Sequence, residues 1–231
     1  MYLTRVFLNP VSRAVRVDLA DAAGLHRTLM RTFPDDSGPT ARKEHRVLHR
    51  VDEDSRRGRL VLLVQSATRP DFTRLPDGYS LDLRDDFDLA ASGASENPAV
   101  REVGEERERI AAGQRFAFRL RANTTKKIPK IDETTGARTK NGTRVPVRGD
   151  EERLRWLHRH AEKGGFGVEE VRVLEIPARS HRAHRGLTFA GAMFEGILAV
   201  TNPGAFREAL AEGIGPGKAF GFGLLSIARV P

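Results

Sequence analysis

From Tyr2 to Leu8 the chain alternates apolar and polar residues with the two-residue period of a half-buried strand. Asp18 then offers an N-cap for a helix running to about Phe33, where Pro34 stops it. Within that helix Ala22, Leu25, Leu29 and Phe33 recur at spacings of three and four and form a core stripe. Arg27 and Arg31 share its polar face, and His26 lies at the flank of the stripe. Two strand-like segments follow, His45 to Val51 and Arg59 to Gln65, joined into a hairpin by the turn-forming Ser55 to Gly58. A short irregular or helical piece near Pro70 to Leu75 leads to another strand, Tyr79 to Phe87. The order of elements is β-α-β-β-(α)-β.

From Ala90 to Gly113 the chain becomes small and charged and loses strand character, which marks a linker. Beyond it Phe116, Phe118 and Leu120 alternate with Arg115, Arg119 and Arg121, as in a half-exposed strand with a basic face. A basic, glycine-containing loop runs to Arg148, and Asp150 is the candidate N-cap of a helix with Leu154 and Leu157 on its apolar side, ended by Gly164 to Gly167. Strands Val168 to Ile176 and Leu187 to Val200, a helix from Pro203 to about Glu212 and a last strand, Leu224 to Val230, complete the second half. Both halves share one order of elements, that of the ferredoxin-like split βαβ unit, without a visible sequence repeat. The expected fold class is α+β: an N-terminal domain over 1–90, a linker over 91–113 and a C-terminal domain over 114–231, each an antiparallel sheet with helices on one face.

Composition narrows the class. With 39% hydrophobic and 30% charged residues the chain is too apolar for disorder and too charged to sit in a membrane. Its longest uninterrupted apolar run, Leu60 to Val64, is far short of the roughly 20 residues a spanning helix needs. The absence of cysteine excludes disulfides and thiolate metal sites and fits a cytoplasmic protein.

Net charge matters through its position. Between Arg115 and Arg148, ten Lys or Arg, Lys126 and Lys127 among them, face only Asp132 and Glu133, so the whole net charge of +8 sits in that stretch. Segregation of this kind points to a polyanion, most simply nucleic acid, because each neutralised phosphate releases a counterion. A solvated basic loop carries the same signature. A second basic cluster, Arg179, Arg182 and Arg185 with His181 and His184, reads as an RNA-contacting loop or a solvated turn.

The most specific stretch is the run Ile214 to Leu225, where Gly215, Gly217, Gly221 and Gly223 surround Lys218 between a helix and the final strand. Glycines admit positive φ and close approach, so successive N–H groups can turn toward an anion while Lys218 adds a charge. A structural bend is the competing reading. An ATP-binding loop is not, since no Lys-Ser/Thr follows the required spacer and a strand, not a helix, comes next.

These residues resemble a family. The opening MYLTRVFLNPVSR, the segments LHRTLMRTFP, FRLRAN, RVPV and MFEGILAV, and the terminal GIGPGKAFGFGLLS are similar, in order and over nearly the whole chain, to the repeat-processing endoribonucleases of type I-E CRISPR systems, called CasE. The resemblance implies tandem ferredoxin-like, RNA-recognition-type domains. It also implies metal-independent cleavage of CRISPR precursor repeat hairpins at the 3′ base of the stem, without a cofactor, and retention among the other subunits of the Cascade complex. Carried over by position, the catalytic histidine is His26 and the basic residue five further on is Arg31, a candidate for stabilising the pentacoordinate phosphorus. Where the family often has a tyrosine three residues before the histidine, this chain has Ala23. The implied RNA-binding residues are Arg27, Arg115, Arg119, Arg121, Lys126, Lys127, Arg179, Arg182, Arg185, Gly215, Gly217, Lys218, Gly221 and Gly223.

Two other classes stay open at this level: a non-catalytic subunit that holds hairpin RNA, and a regulatory domain that binds a small anion on the glycine-rich turn. The remaining histidines point to no metal. His158 and His160 lie two apart on a helix and face different ways, and His45 and His49, although they could share a strand face, have no carboxylate or cysteine at ligand spacing.

Overall fold

A computed structural model describes residues 1–21, 23–35, 38–54, 58–85, 95–131, 138–180 and 188–230. The first half builds a four-stranded antiparallel sheet from β1 (Tyr2–Phe7), β2 (Leu48–Asp54), β3 (Arg59–Ser66) and β4 (Ala99–Glu102), in the order β2-β3-β1-β4. The second half repeats that order with β5 (Arg115–Ala122), β8 (Phe166–Ser180), β9 (Thr188–Val200) and β10 (Leu225–Arg229), arranged β10-β5-β9-β8. The tandem α+β, ferredoxin-like reading therefore stands. Between β5 and the following helix, β6 (Thr125–Ile131) and β7 (Arg138–Pro146) form a separate two-stranded hairpin where the sequence suggested a loop.

One helix face closes each sheet. In the first half α1 (Arg13–Leu19) and α2 (Gly24–Met30) replace the single helix expected from Asp18 to Phe33. Asp21 causes the break: its carboxylate accepts the Ala23 N–H at 3.3 Å and pairs with Arg27 at 2.9 Å, a local alternative to helical bonding. Asp18 is consequently no cap but a residue inside α1, and it accepts the Tyr79 hydroxyl at 2.8 Å. Leu25, Leu29 and Phe33 are buried with Val6, Leu8, Val15 and Val64, as their spacing requires, whereas Ala22 lies outside the described residues. A one-turn helix, α3 (Ala41–Glu44), leads into β2, and α4 (Gly104–Glu108) follows β4. In the second half α5 (Asp150–Lys163) buries Trp156, Leu157 and Ala161, and its acidic first turn and basic last turn suit the helix dipole. Gly149 occupies the cap position expected for Asp150, which is the first helical residue. The last helix, α6 (Pro203–Glu212), is capped by Asn202, whose side chain accepts the Ala205 N–H at 3.1 Å.

The strand expected at Tyr79 to Phe87 does not form over its described residues, and the fourth strand lies instead inside the segment read as a linker. Asp82 accepts the Arg84 N–H at 2.9 Å and turns the chain, leaving one bridge, Leu8 to Ser80. The end of β1 is finished by Asn97, which accepts from Phe7 N–H at 2.8 Å and donates to the Phe7 and Leu81 carbonyls. Ala99–Glu102 then pairs with Tyr2–Arg5. No helix of the described residues is long and apolar enough to cross a membrane.

The halves are joined through polar side chains. Arg50 on β2 is 1% exposed and donates to the carbonyls of Arg119 and Leu224, both at 3.2 Å, while its other nitrogens hold Asp52. Gln65 on β3 donates to the Leu210 carbonyl at 2.7 Å. These bonds set the start of β2 and the end of β3 against β5, α6 and the segment that follows α6.

Candidate active site

His26 is carried on α2, whose neighbours Leu25 and Leu29 anchor the helix in the core and leave the imidazole half-buried at its flank. Opposite it stands His49 of β2. The rings lie 11° from parallel with centroids 6.1 Å apart, and the Nδ1 atoms of both are buried without a hydrogen-bond partner. Burial, then the charges of Arg42 and Arg27, push His26 down to about 4. His49, 2% exposed, is pushed down to about 3 by burial, then by His26, Arg121 and Arg42. Both rings are therefore neutral at pH 7 inside a strongly positive environment.

The glycine-rich turn closes this site. A 3-10 turn, Lys218–Phe220, is bounded by Gly217 and Gly221, both left-handed. At Gly221 a Cβ would stand 3.6 Å from His49 Nε2, so the turn lies directly over the buried ring. Burial and the Arg42 charge lower the Lys218 ammonium, against an opposing pull from Glu212. Gly215 is needed for packing: a Cβ there would come within 2.7 Å of Trp156. The Gly223 N–H already donates to the Arg121 carbonyl at 2.8 Å. The bend reading thus accounts for Gly215 and Gly223, while Lys218 and Gly221 belong to the histidine cluster.

The expected site residues separate into groups. His26, Arg27, Arg121, Lys218 and Gly221 come together, with Arg121 lying over the Phe222 ring at 5.1 Å. Arg31 is exposed and lines a groove with Arg13, Asp18, Arg27 and Pro76 on the outer side of α1 and α2. Arg115 pairs with Glu169 at 2.8 Å and Arg119 with Glu195 at 2.5 Å, so these strand cations are matched by carboxylates of the same sheet. Lys126 and Lys127 stand exposed on the β6–β7 hairpin. Arg179 belongs to the end of β8, and Arg182, Arg185, His181 and His184 lie outside the described residues.

Sequence reasoning missed Arg42 and the role of His49. His49 was visible only as a strand partner of His45, and that pairing does not exist: His45 precedes β2, stacks on Phe33 and bonds Thr68 Oγ1 at 2.9 Å. Nothing local marks Arg42, since its neighbours in the site come from distant segments. Nor does a tyrosine replace Ala23. Of the chain's two tyrosines, Tyr2 lies on β1, and Tyr79 is held far above its ordinary pKa by burial and Asp18.

The whole arrangement has known counterparts. A family model described as CRISPR associated protein matches residues 1–229. The chain belongs to this family. It is 33% identical, over 99% of its length and 100% of the relative's, to the CRISPR-associated endoribonuclease Cse3 of Thermus thermophilus. It is 32% identical over 52% of its length, and 60% of the relative's, to the CRISPR system Cascade subunit CasE of Escherichia coli. Among solved structures, Thermus thermophilus Cse3 bound to an RNA representing a pre-cleavage complex superposes with a TM-score of 0.75 at 33% identity, over 99% of this chain and 98% of the other. The Cas6e crystal structure from Escherichia coli K-12 gives 0.68 at 25% identity, with both chains fully covered. This CRISPR-associated chain therefore shares fold and length with enzymes that act on RNA.

Proposed function

We propose that the protein is a metal-independent endoribonuclease that binds CRISPR repeat hairpins and cuts at the 3′ base of the stem. The observation that carries this reading is a half-buried histidine, His26, stacked on the buried His49 at the junction of two ferredoxin-like halves, with Arg27 and Arg42 acting on the first ring and Arg42 and Arg121 on the second. Full-length similarity to an endoribonuclease supports it. The chain retains its product in the cytoplasm and serves as a Cascade subunit, the role named for its Escherichia coli relative.

His26 takes a proton from the ribose 2′-hydroxyl as the new bond from the 2′-oxygen to phosphorus forms. The bond from phosphorus to the 5′-oxygen breaks, and that oxygen takes a proton from water while the His26 imidazolium returns its own to solvent, leaving a 2′,3′-cyclic phosphate and a 5′-hydroxyl. The nucleophile belongs to the substrate, so alignment and charge stabilisation suffice. Lys126, Lys127 and the basic residues near Arg179 hold phosphates of the stem and contribute affinity rather than chemistry.

Incubation with a hairpin repeat in EDTA, beside a copy with one 2′-deoxy substitution at the cut site, tests this. Cleavage of the first alone, ending in a cyclic phosphate, is expected. Binding of both with cleavage of neither means a hairpin-holding subunit, and loss of cutting in EDTA means a metal-dependent nuclease.

A further inference from the structure

The cation that sequence position suggests for the reacting phosphate is Arg31. On a helix, five residues carry the chain roughly 140° around the axis from His26, and Arg31 accordingly lies in the outer groove with Arg13. A different arginine faces the histidines. We infer that Arg42 is the catalytic cation of this site, binding the scissile phosphate and stabilising the charge that builds on it. The inference rests on the endoribonuclease reading above.

The geometry is specific. Arg42 sits on α3, the single turn that feeds β2, and its Nη1 donates to the Val47 carbonyl at 3.3 Å. Val47 is fully buried, so that carbonyl is a fixed anchor two residues before His49. Among the described residues one guanidinium bond is thereby used, which leaves the other N–H donors of the fork for a bidentate anion. The side chain is half-buried.

Charge balance points the same way. Neighbouring cations are matched by carboxylates: Arg27 by Asp21 at 2.9 Å and Arg46 by Glu212 at 3.3 Å. Among the described residues no carboxylate pairs with Arg42. Its charge bears on His26 of α2, His49 of β2 and Lys218 of the glycine-rich turn, groups that the structure clusters through the stacked rings of His26 and His49, 6.1 Å apart, and the turn at Gly221, whose Cβ position lies 3.6 Å from His49 Nε2. Among the described residues no other charge bears on all three. The groups facing His26 and His49 are Arg27, Arg42, Arg121 and each other, and Lys218 faces Arg42 and Glu212. A half-buried imidazole beside a half-buried guanidinium that no carboxylate pairs with among the described residues suits a phosphodiester in which negative charge increases at the transition state.

The test is single-turnover cleavage of a hairpin repeat by the full-length protein at saturating concentration, comparing wild type with R42A, R42K, R31A and H26A. R42A should lose about 10²-fold in rate, while its affinity for a 2′-deoxy hairpin changes less than threefold. R42K should retain an intermediate rate, and millimolar guanidinium should restore part of the R42A rate, which repair of a folding defect would not do. Removal of this charge should also move the acid limb of the pH–rate profile upward, because His26 loses a depressing neighbour. R42A cleaving at the wild-type rate, or an R42A deficit that disappears at saturation or resists guanidinium, overturns the assignment. If R31A shows the loss instead, Arg31 is the cation. Absence of cutting by the wild type would overturn the endoribonuclease reading itself.

Discussion

His26 and His49 face each other across the seam between α2 and β2, their ring planes 11° apart and their centroids separated by 6.1 Å. The first ring is half-buried and the second is sealed beneath the glycine-rich turn. The outer imidazole is thus the accessible one, and the inner one backs it as an aromatic wall. His26→Ala should lower hairpin cleavage by roughly 10²–10⁴-fold, the usual range for a proton-transfer group, with RNA affinity nearly unchanged. Single-turnover rates beside filter-binding constants check this.

The same pair makes the protein acid-labile. Both rings have folded-state pKa values below the ordinary 6.5, so the native state binds fewer protons than the unfolded chain. Their contribution is complete above pH 6.5 and is lost as pH falls toward about 4 for His26 and about 3 for His49. For the buried His49 ring, stability falls by up to about 1.4 kcal/mol per pH unit in that window. His49→Phe keeps an aromatic wall and removes the ionisable group, so its Tm should fall less between pH 7 and pH 4.5 than that of the wild type.

Arg50 ties the halves together. Replacing it with alanine strands the carbonyls of Arg119 and Leu224 and leaves Asp52 without its closest cation. A loss of about 3–5 kcal/mol is expected for breaking a buried charged network, measured by urea unfolding.

Two glycines of the terminal turn should respond differently to alanine. Both Gly215 and Gly221 have positive φ, at 76° and 79°, and a side chain there costs about 1–2 kcal/mol. At Gly215 the new Cβ also strikes Trp156 within 2.7 Å, which adds about 1–3 kcal/mol of overpacking. At Gly221 it meets His49 at an ordinary 3.6 Å. G215A should therefore have the lower midpoint in thermal denaturation.

Phosphate-binding cations can be separated from ion-paired ones by salt. Lys126→Ala should reduce the slope of log affinity against log salt by about 1. Arg115→Ala should leave it unchanged, because its charge is already matched by Glu169 at 2.8 Å.

What could be read directly from the chain was local. The alternation at Tyr2 to Leu8, the Leu25–Leu29–Phe33 stripe, the Asn202 cap position and the repeated order of elements follow from the periods of strands and helices, which act over a few residues. His26 stood out as a candidate through resemblance, as part of a recognisable segment. What only the tertiary structure decided depends on partners far apart in the chain. The edge of β1 chose Ala99–Glu102 over the Tyr79 segment because Asp82 turned that segment away and Asn97 completed the strand end. Arg115 and Arg119 lost their standing as a free basic face because carboxylates of β8 and β9 lie across the sheet. Arg42 and the glycine-rich turn came to bear on His49 because the bonds from Arg50 and Gln65 hold the start of β2 and the end of β3 against β5, α6 and the segment beyond it. Electrostatic neighbours of this kind are set by the packing of the two halves, and sequence spacing carries no record of it.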